Sequence, residues 1–255
     1  FSQIIMRLKV NKIHSLSVFI CIIVFLFSWW SNPSLVPAYS PDTTEFLDLA
    51  KDFSDPAGEL RPIFYPFFVR LCMQLGGVHW AEVVVLFQMI LHTITILFIY
   101  KLFFKFNTPN VLAIIFSLAI GFNPNLLFYS SRLLPQQILG VLIFFTIYYS
   151  IELIRTWEVN SYSLRNKYLY LTGIFSGIAL ITKPSWILGI LPVVFTFFYT
   201  KKISNKTIMV AIILISLHFS FNLVWSEYKE GIGNRKVYGI DSSNMIENFL
   251  FSLKG

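Results

Sequence analysis

The chain has 255 residues, of which 56% are hydrophobic and only 13% are charged, whereas about a quarter of the residues of a soluble domain carry a charge. A soluble globular protein is therefore excluded, because so few charged side chains cannot cover a surface while 27 Phe, 12 Tyr and 6 Trp go inside. Two cysteines, Cys21 and Cys72, lie in apolar segments, which excludes a disulfide scaffold. The net charge of +7 comes mainly from cations in short segments between apolar runs, a pattern of membrane orientation rather than of nucleic-acid binding.

Seven apolar runs are long enough to be read as transmembrane helices, at about 20 residues per crossing. The fifth and sixth are short and are joined by a tight connection, residues 182–185, so a re-entrant hairpin is the competing interpretation. No small-residue cleavage site follows the first run, and we interpret it as a span rather than a signal peptide. The predicted spans are His14 to Trp30, Trp80 to Tyr100, Val111 to Phe128, Leu134 to Ile154, Tyr168 to Ile181, Trp186 to Thr200 and Thr207 to Trp225.

The positive charges predict the orientation, because Lys and Arg are retained on the cytoplasmic side during insertion. The opposite, outer side receives a long first loop, residues 31–79, which is rich in Asp and Glu. The N-terminus is thus predicted to be cytoplasmic, in a plasma or inner membrane. The cations on the cytoplasmic side are Arg7, Lys9, Lys12, Lys101, Lys105, Arg155, Arg165, Lys167, Lys201, Lys202 and Lys206.

The first outer loop is too long and too patterned for a simple connector. Between Pro41 and Phe53, apolar residues recur at helical spacing with acids opposite, which predicts an amphipathic helix on the membrane surface. A second helix is predicted from Pro66 to Gly76. The predicted fold class is an all-α polytopic membrane protein with about seven transmembrane helices and a long outer first loop that carries amphipathic interfacial helices. We expect one transmembrane domain over 1–255, a fragment of a longer protein, with 226–255 beginning a further outer segment.

Two residues of this loop have both a structural and a chemical interpretation. Asp42 stands three residues before Glu45 at a helix start, which is a capping box, yet two carboxylates at the membrane boundary can also act as a base or bind a hard divalent cation. Arg61 lies between the two predicted helices. It is either an interfacial cation that extends to water or a guanidinium that binds a phosphate.

Four segments in order resemble the membrane glycosyltransferases of the C superfamily, which use polyprenyl-phosphate sugars and include protein O-mannosyltransferases and lipid A aminoarabinose transferases. The acidic segment after the first span is similar to the start of the family's first outer loop. The next two resemble its basic-Pro-Pro-x-Tyr-Pro segment and the outer turn after its third span. The last resembles its Gly-x-Ala-x-x-Thr-Arg/Lys-Pro. The segments are Pro41 to Ala50, Arg61 to Pro66, Asn123 to Gln136 and Gly177 to Pro184.

The resemblance implies a function and a site. Asp42 would be the catalytic base that activates an acceptor on a lipid, glycan or protein at the outer face, with inversion at the sugar. Three cations, Arg61, Lys183 and Arg132, would bind the donor phosphate. The supporting residues would be Glu45, Tyr65 and Gln136.

The expected partners are the polyprenyl-phosphate sugar, its acceptor and membrane lipid, with no nucleic acid. A Mg²⁺ or Mn²⁺ ion on Asp42 and Glu45 is the only expected cofactor. The family often has an acid where this chain has Gln136, and an amide is neither a base nor a strong metal ligand. Metal dependence is therefore an open question at this point.

Two other classes are compatible with the composition. A secondary transporter or lipid flippase normally has ionisable residues near the bilayer midplane or paired broken helices in two halves, and the acids here lie in loops and at span ends. A noncatalytic membrane scaffold is favoured only by Gln136. Within the spans, His92 is interpreted as a hydrogen-bonded core residue, and Pro124 is expected to kink its helix.

Overall fold

The computed structural model describes residues 2–40, 42–53, 62–158 and 162–182, and everywhere in these ranges the regular secondary structure is helical. The sixth and seventh predicted spans, the segment 226–255, and the candidate residues Arg61 and Lys183 lie outside the described residues. The helices are α1 (Ser2–Ser31), α2 (Thr43–Lys51), α3 (Phe64–Gly76), α4 (Trp80–Lys105), α5 (Asn110–Gly121), α6 (Pro124–Ser131), α7 (Gln136–Glu158) and α8 (Tyr162–Thr182).

Two stretches are long and apolar enough to cross a membrane, Phe64–Lys105 with 42 residues and Gln136–Thr156 with 21. Helices α5 and α6 together make a third if their broken pair, bent by 46°, counts as one span, and Ser15–Ser31 is a shorter apolar helix. The described residues therefore support two or three spans and do not confirm the predicted seven.

The first outer loop differs from its prediction. Helix α3 begins at Phe64, two residues before Pro66, and runs through a 3₁₀ turn, Gly77–His79, into α4. The stretch Phe64–Lys105 has 42 residues, about twice the roughly 20 residues that one helical crossing needs. A long loop reaching to His79 is thus not confirmed. Pro66 is accommodated because it lies in the first turn of α3, where a missing N–H costs no helical hydrogen bond.

By their internal contacts, the residues form two compact units, Phe1–Pro41 with Leu71–Tyr148 and Asp42–Arg70 with Tyr149–Gly255. In the first unit, α1, α4 and α5 pack around a buried cluster that includes Val24, Ile96 and Ala113. His92 of α4 lies 3.0 Å from the carbonyl oxygen of Gly121 through its Nε2 atom, so its interpretation as a hydrogen-bonded core residue is confirmed. Helix α7 packs on α4 through the edge-to-face rings of Phe98 and Phe145, 4.9 Å apart.

The second unit contains α2, the start of α3, the end of α7 and α8. Aromatic stacking joins α7 to α8, because the Tyr149 ring lies 5.4 Å from that of Phe175. On α2, the predicted apolar face is confirmed: Phe46, Leu49 and Ala50 are all buried. Protein covers this face, and the position of α2 on the membrane surface stays a prediction. An amphipathic period predicts a face that will be covered, but not whether protein or lipid covers it.

Candidate functional site

Asp42 occupies the N-cap position of α2, as the sequence predicted, but its side chain makes no cap hydrogen bond. Its backbone is helical, with φ −72° and ψ −17°, whereas a capping residue is normally extended so that its side chain can turn back to the free N–H groups. The capping-box interpretation is therefore wrong in its main contact. The side chain of Asp42 is exposed at the end of the helix, where the positive end of the helix dipole stabilises a carboxylate.

Glu45 follows in the first turn of α2 and is half-buried. Residues three apart on a helix lie on one face, so the two carboxylates flank the same end of α2. Within the ranges that the structure describes, no group of three or more His, Cys, Asp or Glu could hold a metal. Two carboxylates fit Mg²⁺ only with waters and substrate phosphate completing the shell, which is the ion's common binding mode. Metal binding by Asp42 and Glu45 stays a prediction.

Tyr65 links the start of α3 to α2. Its ring meets Phe46 edge to face, with centroids 5.3 Å apart and an interplanar angle of 82°, and it is fully buried. A second contact supports the same packing, because the guanidinium of Arg70 lies 4.7 Å from the centroid of Phe53. Tyr65 therefore has a packing role that the resemblance alone did not indicate.

Arg132 lies in the turn that ends α6, with an extended backbone at φ −82° and ψ 139°. Its guanidinium carbon is 4.0 Å from the centroid of Phe128 and 5.9 Å from that of Tyr129. Cation–π attraction of this kind holds the charge in place without neutralising it. Its Nε atom is buried and has no hydrogen-bond acceptor among the described residues. The hydrogen-bonding capacity of this N–H is therefore not used by the described residues.

Backbone pairing holds this turn to the segment after α1. The amide of Ala38 donates to Ser131 O at 2.9 Å, and the amide of Leu133 donates to Ala38 O at 3.1 Å. The pairing places the segment after α1 beside the turn between α6 and α7, and the predicted outer side of both connections stays a prediction. Gln136 begins α7 and is exposed.

Sequence reasoning missed Gln88, which is on α4 and fully buried. Its Nε2 atom donates to Ser130 O at 3.2 Å and to Arg132 O at 2.9 Å. The available signal was a single amide inside an apolar span, since polar groups there normally bond to other helices. The sequence does not indicate which distant backbone atoms the side chain of Gln88 contacts.

The candidate residues thus fall into two sets. Arg132 and Gln136 belong to the first unit, and Asp42, Glu45 and Tyr65 belong to the second. Arg61 precedes Tyr65 by four positions, and Lys183 directly follows the last residue of α8. The helices are apolar, and the charged candidate residues lie at their ends, at the start of α2 and in the α6–α7 turn. This arrangement is typical of one class, the integral membrane protein.

Comparison with known families identifies the particular family. The model of the dolichyl-phosphate-mannose-protein mannosyltransferase family matches residues 60–225, which is more than half of the 255 residues. The chain therefore belongs to this family of membrane glycosyltransferases, and the resemblance to the C superfamily is confirmed. The match includes Arg61, Tyr65, Arg132, Gln136 and Lys183, whereas Asp42 and Glu45 precede it. No curated protein sequence and no solved structure has detectable similarity to the chain.

Proposed function

We propose that this protein transfers a sugar from a polyprenyl-phosphate donor to an acceptor on a lipid, glycan or protein at the outer face of the membrane, with inversion of configuration. Family membership supports the reaction class, and the family's description makes mannose the first sugar to test. The observation that carries the proposal for this chain is the position of Asp42, an exposed carboxylate at the start of α2.

Asp42 is the general base of the proposed reaction. It takes the proton of the acceptor hydroxyl while the hydroxyl oxygen attacks the anomeric carbon of the sugar. The bond from that carbon to the phosphate oxygen breaks at the same time, and the phosphate leaves with the electron pair. Attack from the face opposite the leaving group inverts the configuration.

Cations stabilise the departing phosphate, because its negative charge grows in the transition state. Arg132 is suited to this role: its charge rests on aromatic rings, and its Nε atom has no acceptor in the part of the chain that the structure describes. We assign the same role to Arg61 and Lys183 because their segments resemble the family's motifs in sequence, and both residues lie within the matched range. A Mg²⁺ or Mn²⁺ ion, if required, would be held by Asp42 and Glu45 and would neutralise phosphate charge.

The first test is the substitution Asp42→Asn. Because Asn has nearly the same size as Asp and is about as good at a helix N-cap, the variant should unfold at nearly the wild-type temperature, yet it should lose on the order of 100-fold or more in transfer rate. The measurement is sugar transfer from polyprenyl-phosphate mannose in proteoliposomes, with thermal unfolding of the same samples.

Asp48→Asn is the matched control, because Asp48 lies on the same helix and pairs only weakly, at 3.3 Å, with the exposed Lys51. It should retain wild-type activity. Equal activity in Asp42→Asn and wild type would refute the role of Asp42 as base.

The second test concerns orientation, for which we propose a cytoplasmic N-terminus and an outer Asp42. Single cysteines at Ser40 and Lys105, in a background without Cys21 and Cys72, should react with an impermeant thiol reagent from opposite sides of the membrane. The cysteine at residue 40 should react from outside in intact cells. Labelling of that position only after permeabilisation would contradict the outer location of the site.

A further inference from the structure

The end of helix α6 has an unusually complete set of backbone partners. The last carbonyls of a helix accept no hydrogen bond from the backbone N–H groups of that helix and need donors from elsewhere. In a membrane protein, water is scarce as a donor. Leu127 O and Phe128 O accept the hydroxyls of Ser130 and Ser131, at 2.6 and 2.9 Å. Tyr129 O accepts the amide of Arg132 at 3.2 Å.

The next three carbonyls depend on donors from far away in the sequence. Ser131 O accepts the amide of Ala38, while Ser130 O and Arg132 O both accept from the one amide nitrogen of Gln88. Gln88 is therefore the only side chain from another helix, among those the structure describes, that holds the backbone on both sides of Ser131. It lies about 12 Å along α4 from Trp80, at 1.5 Å per residue.

Gln88 is also a costly residue at this position. Its Oε1 atom is buried and has no hydrogen-bond donor among the described residues, and an unsatisfied buried acceptor destabilises a fold. A methionine of similar length would avoid that cost and fill the same space. The amide nitrogen, and not the side-chain volume, is thus the feature of Gln88 that the surrounding structure uses.

We propose that Gln88 is a positioning residue for the donor site: by holding Ser130 O and Arg132 O it orients the Arg132 guanidinium toward the donor phosphate. This inference rests on the proposed function, in which Arg132 binds that phosphate. The backbone on each side of the guanidinium is fixed by Gln88 and Ala38, and its face is fixed by Phe128. The guanidinium is therefore already ordered before the phosphate binds, so that binding loses less conformational entropy.

The test compares Gln88→Met with wild type in two measurements on the full chain in nanodiscs. The first is hydrogen exchange of the Ala38 and Leu133 amides, which report on the turn without any need for activity. The second is the dissociation constant of a short-chain polyprenyl phosphate. We expect faster exchange and about tenfold weaker binding, because two neutral hydrogen bonds are lost, with kcat for transfer changed much less than KM.

Two further variants separate positioning from a purely structural role. Thr93→Val is the matched control, since its hydroxyl bonds only to Met89 O of its own helix at 3.0 Å, and it should leave both measurements unchanged. In an Arg132→Gln background, Gln88→Met should add no further loss of binding, because residues that act through one another are not additive. If Gln88→Met does not fold, Gln88→Asn replaces it, as its shorter amide cannot reach both carbonyls.

Four results would overturn the inference. Unchanged exchange would show that Gln88 does not hold the turn. Faster exchange with unchanged binding, or losses that simply add in the Arg132→Gln background, would show that the contact is only structural. If the wild-type protein binds no polyprenyl phosphate, the proposed function is refuted, and the inference with it. This outcome differs from the others because the wild type, and not only the variant, fails to bind.

Discussion

Two helices of this protein begin with a residue of the capping class, and they use it differently. Asn123 at the start of α6 is extended, with φ −60° and ψ 119°, and its side chain accepts from the amides of Asn125 and Leu126 at 3.0 and 3.4 Å. Asp42 at the start of α2 is helical and makes no such bond. Asn123 thus caps its helix through its side chain, whereas Asp42 makes no side-chain cap hydrogen bond. Its exposed position at the start of α2 is what makes Asp42 a candidate for chemistry.

The packing of the two regions differs in the same way. In the first unit, buried side chains of α4 bond to distant carbonyls, as in the contacts of Gln88 and His92. The contact described between α2 and α3 is aromatic, that of Phe46 with Tyr65. Hydrogen bonds are directional and fix a position closely, whereas ring contacts tolerate more displacement. We expect the two regions to respond differently to substitution.

The largest effect is expected where the α2–α3 contact is removed. Phe46→Ala deletes a buried ring against Tyr65, and such truncations typically cost about 3–5 kcal/mol. Chemical denaturation in mixed micelles measures it. Phe67→Ala on α3 is the control, because Phe67 is 55% exposed and should change stability little. Similar losses in the two variants would show that α2 is not held by this contact.

A smaller effect tests the close approach of α1 and α5. A Cβ at Gly121 would lie 2.8 Å from Cγ2 of Val24, a stiff branched side chain in the buried core. Gly121→Ala should therefore destabilise the protein by about 1–3 kcal/mol. Gly140 lies within α7, and a Cβ there meets nothing within 4 Å, so Gly140→Ala should be neutral or up to about 1 kcal/mol stabilising. Thermal unfolding of the two variants side by side decides whether the helices are as close as described.

The smallest effect tests the two helix starts directly. Asn123→Ala removes a cap and should cost about 1 kcal/mol. Asp42→Ala removes no side-chain cap hydrogen bond and should cost less than about 0.5 kcal/mol at moderate salt, which screens the attraction between its charge and the helix dipole. The two losses are compared by measuring the unfolding free energies of both variants and the wild type at two salt concentrations. An Asp42→Ala loss as large as that of Asn123→Ala would mean that Asp42 does stabilise α2.

Several features of the fold followed from local sequence. The predicted span from Trp80 begins at the same residue as α4, and the span predicted from Leu134 begins two residues before α7. The expected kink at Pro124 is confirmed, because α5 and α6 are bent by 46° at that break. These features depend on hydropathy, proline geometry and capping, all of which act within a few residues.

The ends of α3 show where local reasoning was insufficient. Gly76 and Gly77 were interpreted as a helix end, and α3 does stop at Gly76, where Gly77 has φ +56°. The helical path nevertheless resumes after three residues. Glycine marks a local change of conformation, but whether the chain turns away or continues depends on what packs beyond it.

The sequence by itself determined the class of protein, the amphipathic face of α2, the break at Asn123 and Pro124, and the acids and cations worth testing. Tertiary structure alone decided that protein covers the face of α2, that Asp42 does not cap its helix, and that Gln88 and Ala38 hold the Arg132 turn. The physical reason is that hydropathy and backbone preferences are properties of neighbouring residues. Each contact of Gln88 joins residues more than forty positions apart, and no periodicity in the chain encodes which buried amide meets which carbonyl.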